Sequence, residues 1–186
     1  MRTCSAIVPA AGLSSRYGGP NKLLQEWGDC TVVGTVVRAL LASGLPVYVV
    51  TGRDADLVTV AVEPVATVLN PEYKQGLGTS IAAGVANAPK SDGYLIALGD
   101  MPGLRVDVVR SLLEAFETVP LNSIVVPVYA DEPKRIGHPV LFGSAYRNDL
   151  LALTGDSGAR SIIDSAGGRL VHIFVGGSLP DLDEPE

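Results

Sequence analysis

"CSAIVPAAGLSSRYGGPNKLL", Cys4 to Leu24, joins an apolar run to a stretch of small, polar and cationic residues. A short continuous apolar run reads as a strand covered on both faces. The residues behind it carry no hydrophobic rhythm and so are not shaped for packing. Glycines at 12, 18 and 19 allow sharp turns and close backbone approach to a ligand, with N–H groups offered to an anion. Arg16 and Lys22 add a forked guanidinium and a compact ammonium to the same loop, a pairing suited to a polyphosphate. The alternative reading is an exposed loop with two solvated cations. Two better-known phosphate loops do not apply. Lys22 lies between Asn21 and Leu23, outside G-x-x-x-x-G-K-[ST], and Gly76-Leu77-Gly78-Thr79-Ser80 follows polar residues and runs into Ile81, outside G-x-G-x-x-G. A dinucleotide cofactor is disfavoured accordingly.

Outward from this stretch, helical and strand patterns alternate. Val32, Val33, Val36, Val37, Leu40 and Leu41 form a one-sided stripe that predicts a helix over 31–43. Val108, Val109, Leu112, Leu113 and Phe116 repeat it over 107–116, with Asp107 as a first-turn carboxylate. A third helix is expected from Ser80 to about Ala88, before Pro89. The apolar runs Ala6 to Val8, Val47 to Val50, Val65 to Leu69, Tyr94 to Leu98, Ile124 to Val128 and Leu170 to Val175 read as strands buried on both faces. The economical architecture is α/β, a three-layer α/β/α arrangement around a mostly parallel sheet. Lys134 to Phe142, polar and then apolar, suits a small antiparallel insertion.

In such a sheet, ligands collect beyond the carboxyl ends of the strands, commonly beside the first. The strand Tyr94 to Leu98 runs into "GDMPG", which puts Asp100 at a carboxyl end that this topology can set beside the first loop. An acid facing cations and N–H groups makes sense where Mg²⁺ bridges it to phosphate, because Mg²⁺ takes one or two carboxylates and fills its shell with phosphate and water. A simple turn before Met101-Pro102 is the alternative.

Composition narrows the classes. The 186 residues are 47% hydrophobic, with a net charge of −6, which suits one domain over 1–186 with a full core. No long basic cluster suggests a nucleic-acid or membrane surface, and the longest membrane-like stretch, Thr31 to Thr51, carries Arg38 and is cut by Gly44 and Pro46. Cys4 and Cys30 lie in unlike contexts and support neither a disulfide framework nor a zinc site, so a reducing cytoplasm is expected.

In order, "PAAGLSSRYGGPNKLL", "GLGTSIAAG", "LGDMP", "GHPVLF" and "GDSGAR" resemble the successive motifs of the molybdenum cofactor nucleotidyltransferase family, particularly its molybdopterin cytidylyltransferase branch, from Ile7 to Glu186. The resemblance implies a Rossmann-like nucleotidyltransferase fold. It also implies that Ala10, Ala11 and Gly12 face the nucleotide, that Arg16 and Lys22 hold its phosphates, and that Gly78, Thr79 and Ser80 meet base and sugar. Asp100 would hold Mg²⁺, with Asp183 of the Asp183-Glu184-Pro185-Glu186 element as second ligand; a solvated acidic tail is the alternative for Asp183. His138, Pro139, Asp156 and Arg160 would face the second substrate. Their plainer readings are a turn histidine before proline and a helix over Ser157 to Ser165 capped by Asp156. His172 reads as core or surface. Relatives that transfer guanylyl groups tend to carry Gly-Gly where this chain has Ala10-Ala11; two added methyls narrow the slot toward a pyrimidine, hence CTP, with ATP next.

The expected activity is CMP transfer from CTP to the terminal phosphate of molybdopterin, with a client molybdoenzyme as a further partner. Tyr17 departs from the family's usual methionine, and Cys30 to Val33 is an unusual lead into the first long helix. Two other classes stand beside this one: a carrier of pterin, nucleotide or molybdate, and an NAD(P)H-dependent reductase of the nicotine-blue type.

Overall fold

The computed structural model describes residues 1–12, 20–130, 136–156 and 158–177. Arg16 and Asp183 lie outside the described residues, as do Gly18, Gly19 and the basic pair Lys134-Arg135. In chain order the elements are β1 (Cys4–Ala10), β2 (Glu26–Trp27), β3 (Cys30–Thr31), α1 (Val32–Ala42), β4 (Val47–Thr51), α2 (Ala55–Ala61), β5 (Ala66–Leu69) and α3 (Leu77–Asn87). They continue as β6 (Gly93–Ile96), α4 (Val106–Thr118), β7 (Ile124–Tyr129), β8 (Val140–Gly143), α5 (Arg147–Leu151), α6 (Arg160–Ser165) and β9 (Leu170–Val175).

The two periodic stripes become the helices that the spacing predicts. In α1, Thr31 caps the amino end, its hydroxyl accepting from Gly34 N–H at 3.1 Å, and Val32, Val33, Val36, Val37 and Leu40 are buried. Leu41, read as part of the stripe, is instead 43% exposed. Gly44, at φ +84°, turns the chain toward β4, its N–H bonded to Leu41 O. In α4, Val108, Val109, Leu112 and Phe116 are buried on one face.

Seven strands form one sheet in the order β5-β4-β1-β6-β8-β7-β9. All run parallel except β8, which is antiparallel to both β6 and β7. The antiparallel piece expected at Lys134 to Phe142 is therefore a strand of the main sheet. A second antiparallel feature, the two-residue pair β2 and β3, carries too little pattern to be read beforehand. The pleat sends alternate residues of β1 to opposite layers. Ala6, Val8 and Ala10 pack with α1 and α4, whereas Ile7 packs with Ile81 and Val85 of α3, Leu150 of α5 and Ile162 and Ile163 of α6. Gly84 lets α3 lie close on the sheet, because a Cβ there would strike the methyl groups of Ile7 and Val50.

The strands are not all buried on both faces. β5 and β9 are the sheet edges, and they leave Leu69 65% and Phe174 79% exposed. Among the described residues no helix is long and apolar enough to cross a membrane.

Candidate functional site

The parallel strands bring their carboxyl ends to one rim, and β1 ends at its centre. Ala10 pairs with Thr51 of β4, and beyond β6 the Gly99 N–H donates to Pro9 O at 3.3 Å. Ala10 and Ala11 are buried while Gly12 is exposed, with none of the described residues within 4 Å of where its Cβ would stand. Both flanking strands lead into glycines at this level. A Cβ on Gly52 would lie 2.8 Å from the Ala11 methyl and 2.5 Å from the Tyr73 ring; one on Gly99 would lie 3.1 Å from Pro9 O and 3.5 Å from the Ala10 methyl. Ala10 and Ala11 are therefore closely flanked by Gly99 and Gly52, where a larger residue would crowd them.

Lys22 and Asp100 meet on this rim. Asn21 caps the 3-10 turn Lys22–Leu24, its Oδ1 accepting from Leu23 N–H at 3.2 Å, and Leu23 inserts into the α1/α4 core. This turn aims Lys22 at the segment after β6, where its Nζ lies 2.7 Å from Asp100 Oδ2, the two side chains 16% and 27% exposed. The juxtaposition expected from topology is thus present as an ion pair. The Asn21 amide nitrogen is buried beside it without a hydrogen-bond partner among the described residues. No group of three His, Cys, Asp or Glu that could hold a metal ion occurs among the described residues.

Next along the rim, the turn that opens α3 is tied down by a residue the sequence reading passed over. Asn70 is buried just after β5, its N–H bonded to Thr51 O at 2.8 Å. Its amide nitrogen donates to Thr79 Oγ1 at 2.9 Å and Ser80 Oγ at 3.1 Å, and its Oδ1 accepts from Glu72 N–H at 3.0 Å. The Thr79 hydroxyl in turn reaches Gly76 O at 2.9 Å. Both Thr79 and Ser80 are buried, with their hydroxyls turned into this network. A signal for Asn70 is present in the sequence, the Asn70-Pro71 turn dipeptide that follows the apolar run Val65 to Leu69.

The "GLGTS" and "GDSGAR" motifs pack on each other. Gly78 N–H donates to Gly155 O at 2.8 Å, and a Cβ on Gly78 would lie 2.7 Å from Thr154 O. A Cβ on Gly76, at φ +119°, would strike Gly155 and the Asp156 carboxylate. Asp156 is therefore at the amino end of α3 and does not cap the helix of its own segment. That helix is α6, which starts at Arg160 after Ala159, because Gly158 at φ +54° breaks the approach. Arg160 is largely exposed and pairs with Asp164 at 2.9 Å, one turn along.

His138 and Pro139 reach the same rim because β8 is reversed: a strand running against its neighbours begins where they end. Val140 pairs with Ile96, so His138 and the cis-bonded Pro139 stand beside the end of β6, from which Asp100 follows. The buried Tyr129 hydroxyl donates to His138 O at 2.8 Å, and burial pushes its pKa well above the usual phenol value. At the outer end of the rim Arg105 Nη1 donates to Gly176 O at 2.6 Å, holding the segment that leaves β9. His172 projects from that edge strand, exposed and away from the rim.

Residues 6–171 match the MobA-like NTP transferase domain. The chain is 32% identical to a nicotine blue oxidoreductase of Paenarthrobacter nicotinovorans over 162 residues, which covers 84% of this chain and 79% of the relative. It is 31% identical to a molybdenum cofactor cytidylyltransferase of Escherichia coli (strain K12) over 144 residues, 76% of this chain and 70% of the relative. Among solved structures, Rv0371c of Mycobacterium tuberculosis H37Rv superposes with a TM-score of 0.83 at 26% identity, covering 97% of this chain and 92% of that one. A second structure of that protein, described as a complex with manganese, gives a TM-score of 0.81 at 24% identity, over 98% of this chain and 94% of that one.

Proposed function

The chain belongs to the MobA-like NTP transferase family, and from this premise we propose that it transfers CMP from CTP to the terminal phosphate of molybdopterin and releases pyrophosphate. The observation that carries this reading is the Lys22–Asp100 pair, a cation and an acid brought from separate loops to the rim beside Ala10 to Gly12. Such a pair suits a polyphosphate that the cation neutralises while the acid keeps a metal ion on it.

The metal fit is that of a substrate-completed site. A single carboxylate from Asp100 suits an ion that draws most of its oxygens from phosphate and water, and Mg²⁺ behaves this way. Asp100 is the described donor, with Asp183 as the second in this reading. A bound ion would supply Lewis-acid stabilisation of phosphate charge.

The protein's part is positioning and charge. The acceptor phosphate is already ionised at neutral pH, so no side chain need act as nucleophile or base. An acceptor oxygen bonds to the α-phosphorus of CTP as the bond to the bridging β-phosphate oxygen breaks, and the electron pair leaves with pyrophosphate. Lys22 and Arg16 offset the charge that gathers there, and the backbone at Gly12 approaches the nucleotide. Gly78, Thr79 and Ser80 would meet base and sugar mainly through their backbone, since the Thr79 hydroxyl is engaged with Asn70 and Gly76. With the Ala10 methyl packed into the α1/α4 core, it is the Ala11 methyl, close against Gly52, that favours a pyrimidine, by about 1–3 kcal/mol, the usual worth of a methylene-sized difference. His138, Pro139, Asp156 and Arg160 face the pterin, and a client molybdoenzyme receives the product in the cytoplasm.

A second reading follows from the relative named as a nicotine blue oxidoreductase, comparable in identity to the cytidylyltransferase. In it the same rim serves an NAD(P)H-dependent reduction of a small pigment. Thermal unfolding with CTP, ATP, GTP, NADH or NADPH, with and without Mg²⁺, separates the two. Ligand at 100 times its Kd adds about 2.7 kcal/mol. A shift largest for CTP, dependent on Mg²⁺ and lost in Asp100→Ala supports the transferase. A shift with NADPH alone supports the reductase and sinks the first reading.

A further inference from the structure

The Asp100 carboxylate already has a cation in the nucleotide-free protein: the Lys22 ammonium at 2.7 Å. Both ends of the pair are anchored. The Lys22 backbone sits in a turn capped by Asn21 and pinned by buried Leu23, and Asp100 follows Gly99, whose N–H is bonded to Pro9 O. With 16% and 27% of the two side chains exposed, water screens the pair only in part. A divalent ion arriving alone at Asp100 therefore meets a carboxylate whose charge is already balanced, and a positive charge within contact distance of the oxygen it needs.

A triphosphate changes that balance. It offers the ammonium several anionic oxygens, better partners than one carboxylate oxygen. It also brings the oxygens that complete the metal's shell around a single carboxylate. Resting on the function proposed above, we infer that Lys22 makes metal binding conditional on the nucleotide. In the free protein it keeps divalent cations off Asp100; when a nucleoside triphosphate enters, it passes from carboxylate to phosphate and opens Asp100. The site then takes metal and triphosphate together and not metal first. By linkage the coupling is mutual, so metal and nucleotide strengthen each other's binding by the same factor.

The test is Mn²⁺ binding, followed by the paramagnetic resonance of the free ion, in wild type, Lys22→Met, Lys22→Gln and Asp100→Asn and in the Lys22→Met/Asp100→Asn double variant. Circular dichroism confirms that each is folded. Without nucleotide, the wild type should bind Mn²⁺ weakly and both lysine variants about tenfold more tightly, as expected on removing one partly screened charge. The double variant should lose that gain. Saturating CTP should tighten Mn²⁺ binding more in the wild type than in Lys22→Met; the CTP–Mn²⁺ equilibrium in solution is common to both and cancels in the ratio. Lysine variants that bind Mn²⁺ no better than wild type, while Asp100→Asn still weakens it in the CTP complex, overturn the inference and leave the metal role of Asp100 standing. An Asp100→Asn substitution without effect in any background removes that role, and the inference with it.

Discussion

Replacing Gly78 by alanine tests whether the opening turn of α3 and the 154–158 turn form one surface. The added Cβ would lie 2.7 Å from Thr154 O, 2.8 Å from its carbonyl carbon and 2.9 Å from its N. These are backbone atoms and cannot rotate away, so the turn must move and the 2.8 Å bond from Gly78 N–H to Gly155 O lengthens or breaks. Overpacking costs about 1–3 kcal/mol, and the lost hydrogen bond about 0.5–1.5 kcal/mol. Alanine offsets this by about 1 kcal/mol through helix propensity. The balance is a loss of roughly 2 kcal/mol, or about 4–8 °C in Tm for a chain of this size. Differential scanning calorimetry reads it directly. Gly12→Ala is the control, because none of the described residues lies within 4 Å of the added Cβ, and its Tm should stay at the wild-type value. A Gly78→Ala protein as stable as wild type would refute the close approach of the two turns.

Three further outcomes follow from particular contacts. Asn70→Ala strips partners from Thr79, Ser80 and Glu72 and should cost about 2–3 kcal/mol by urea unfolding, with Asn70→Asp recovering part of it; an unchanged urea midpoint contradicts the network. Lys22→Ala should slow the CMP transfer proposed above roughly 10²- to 10³-fold, the usual loss for one preorganised charge contact, in a protein that circular dichroism shows to be folded; full activity in a folded variant removes Lys22 from the mechanism. Burial, helped by the charges of Asp92 and Glu117, raises the Cys4 thiol from 9.0 to about 11. The folded state holds that proton more tightly than the unfolded chain, so the stabilisation is complete below about pH 9 and is lost as pH rises through about 11. Urea midpoints should fall more steeply in wild type than in Cys4→Ala across that window, and parallel slopes would count against it.

Much of the architecture was legible because burial leaves a local trace. The stripes of α1 and α4 repeat at helical spacing since each helix buries one face, and the central strands are continuous apolar runs since both faces are covered. The trace weakens where these conditions weaken. β5 and β9 have runs like those of the central strands, yet they lie at the edges and expose Leu69 and Phe174, because composition does not say which strands a run will pair with. In α2, seven residues that bury Val58 alone show no readable period, and Asp54 before it takes a left-handed φ of 53°.

For the candidate site, chemistry was legible and proximity was not. Residue types and spacing singled out the glycine loop with Lys22 and the acid after a strand, because unusual functional groups outside a packing rhythm stand out locally; the "GLGTS" turn and His138 beside Pro139 came only with the family resemblance. The pairing of Lys22 with Asp100, the contact of Gly78 with Gly155 and the hold of Asn70 on Thr79 and Ser80 join residues 78, 77 and 9 or 10 positions apart in the chain. By itself the sequence determined which of the longer segments are strand or helix and which stretches stand outside the packing rhythm, since each is set by its own local burial and backbone freedom. Only the tertiary structure decided which loops meet, because their distances depend on the strand order β5-β4-β1-β6-β8-β7-β9 and on the reversal of β8, and both arise from packing the whole sheet between its helices.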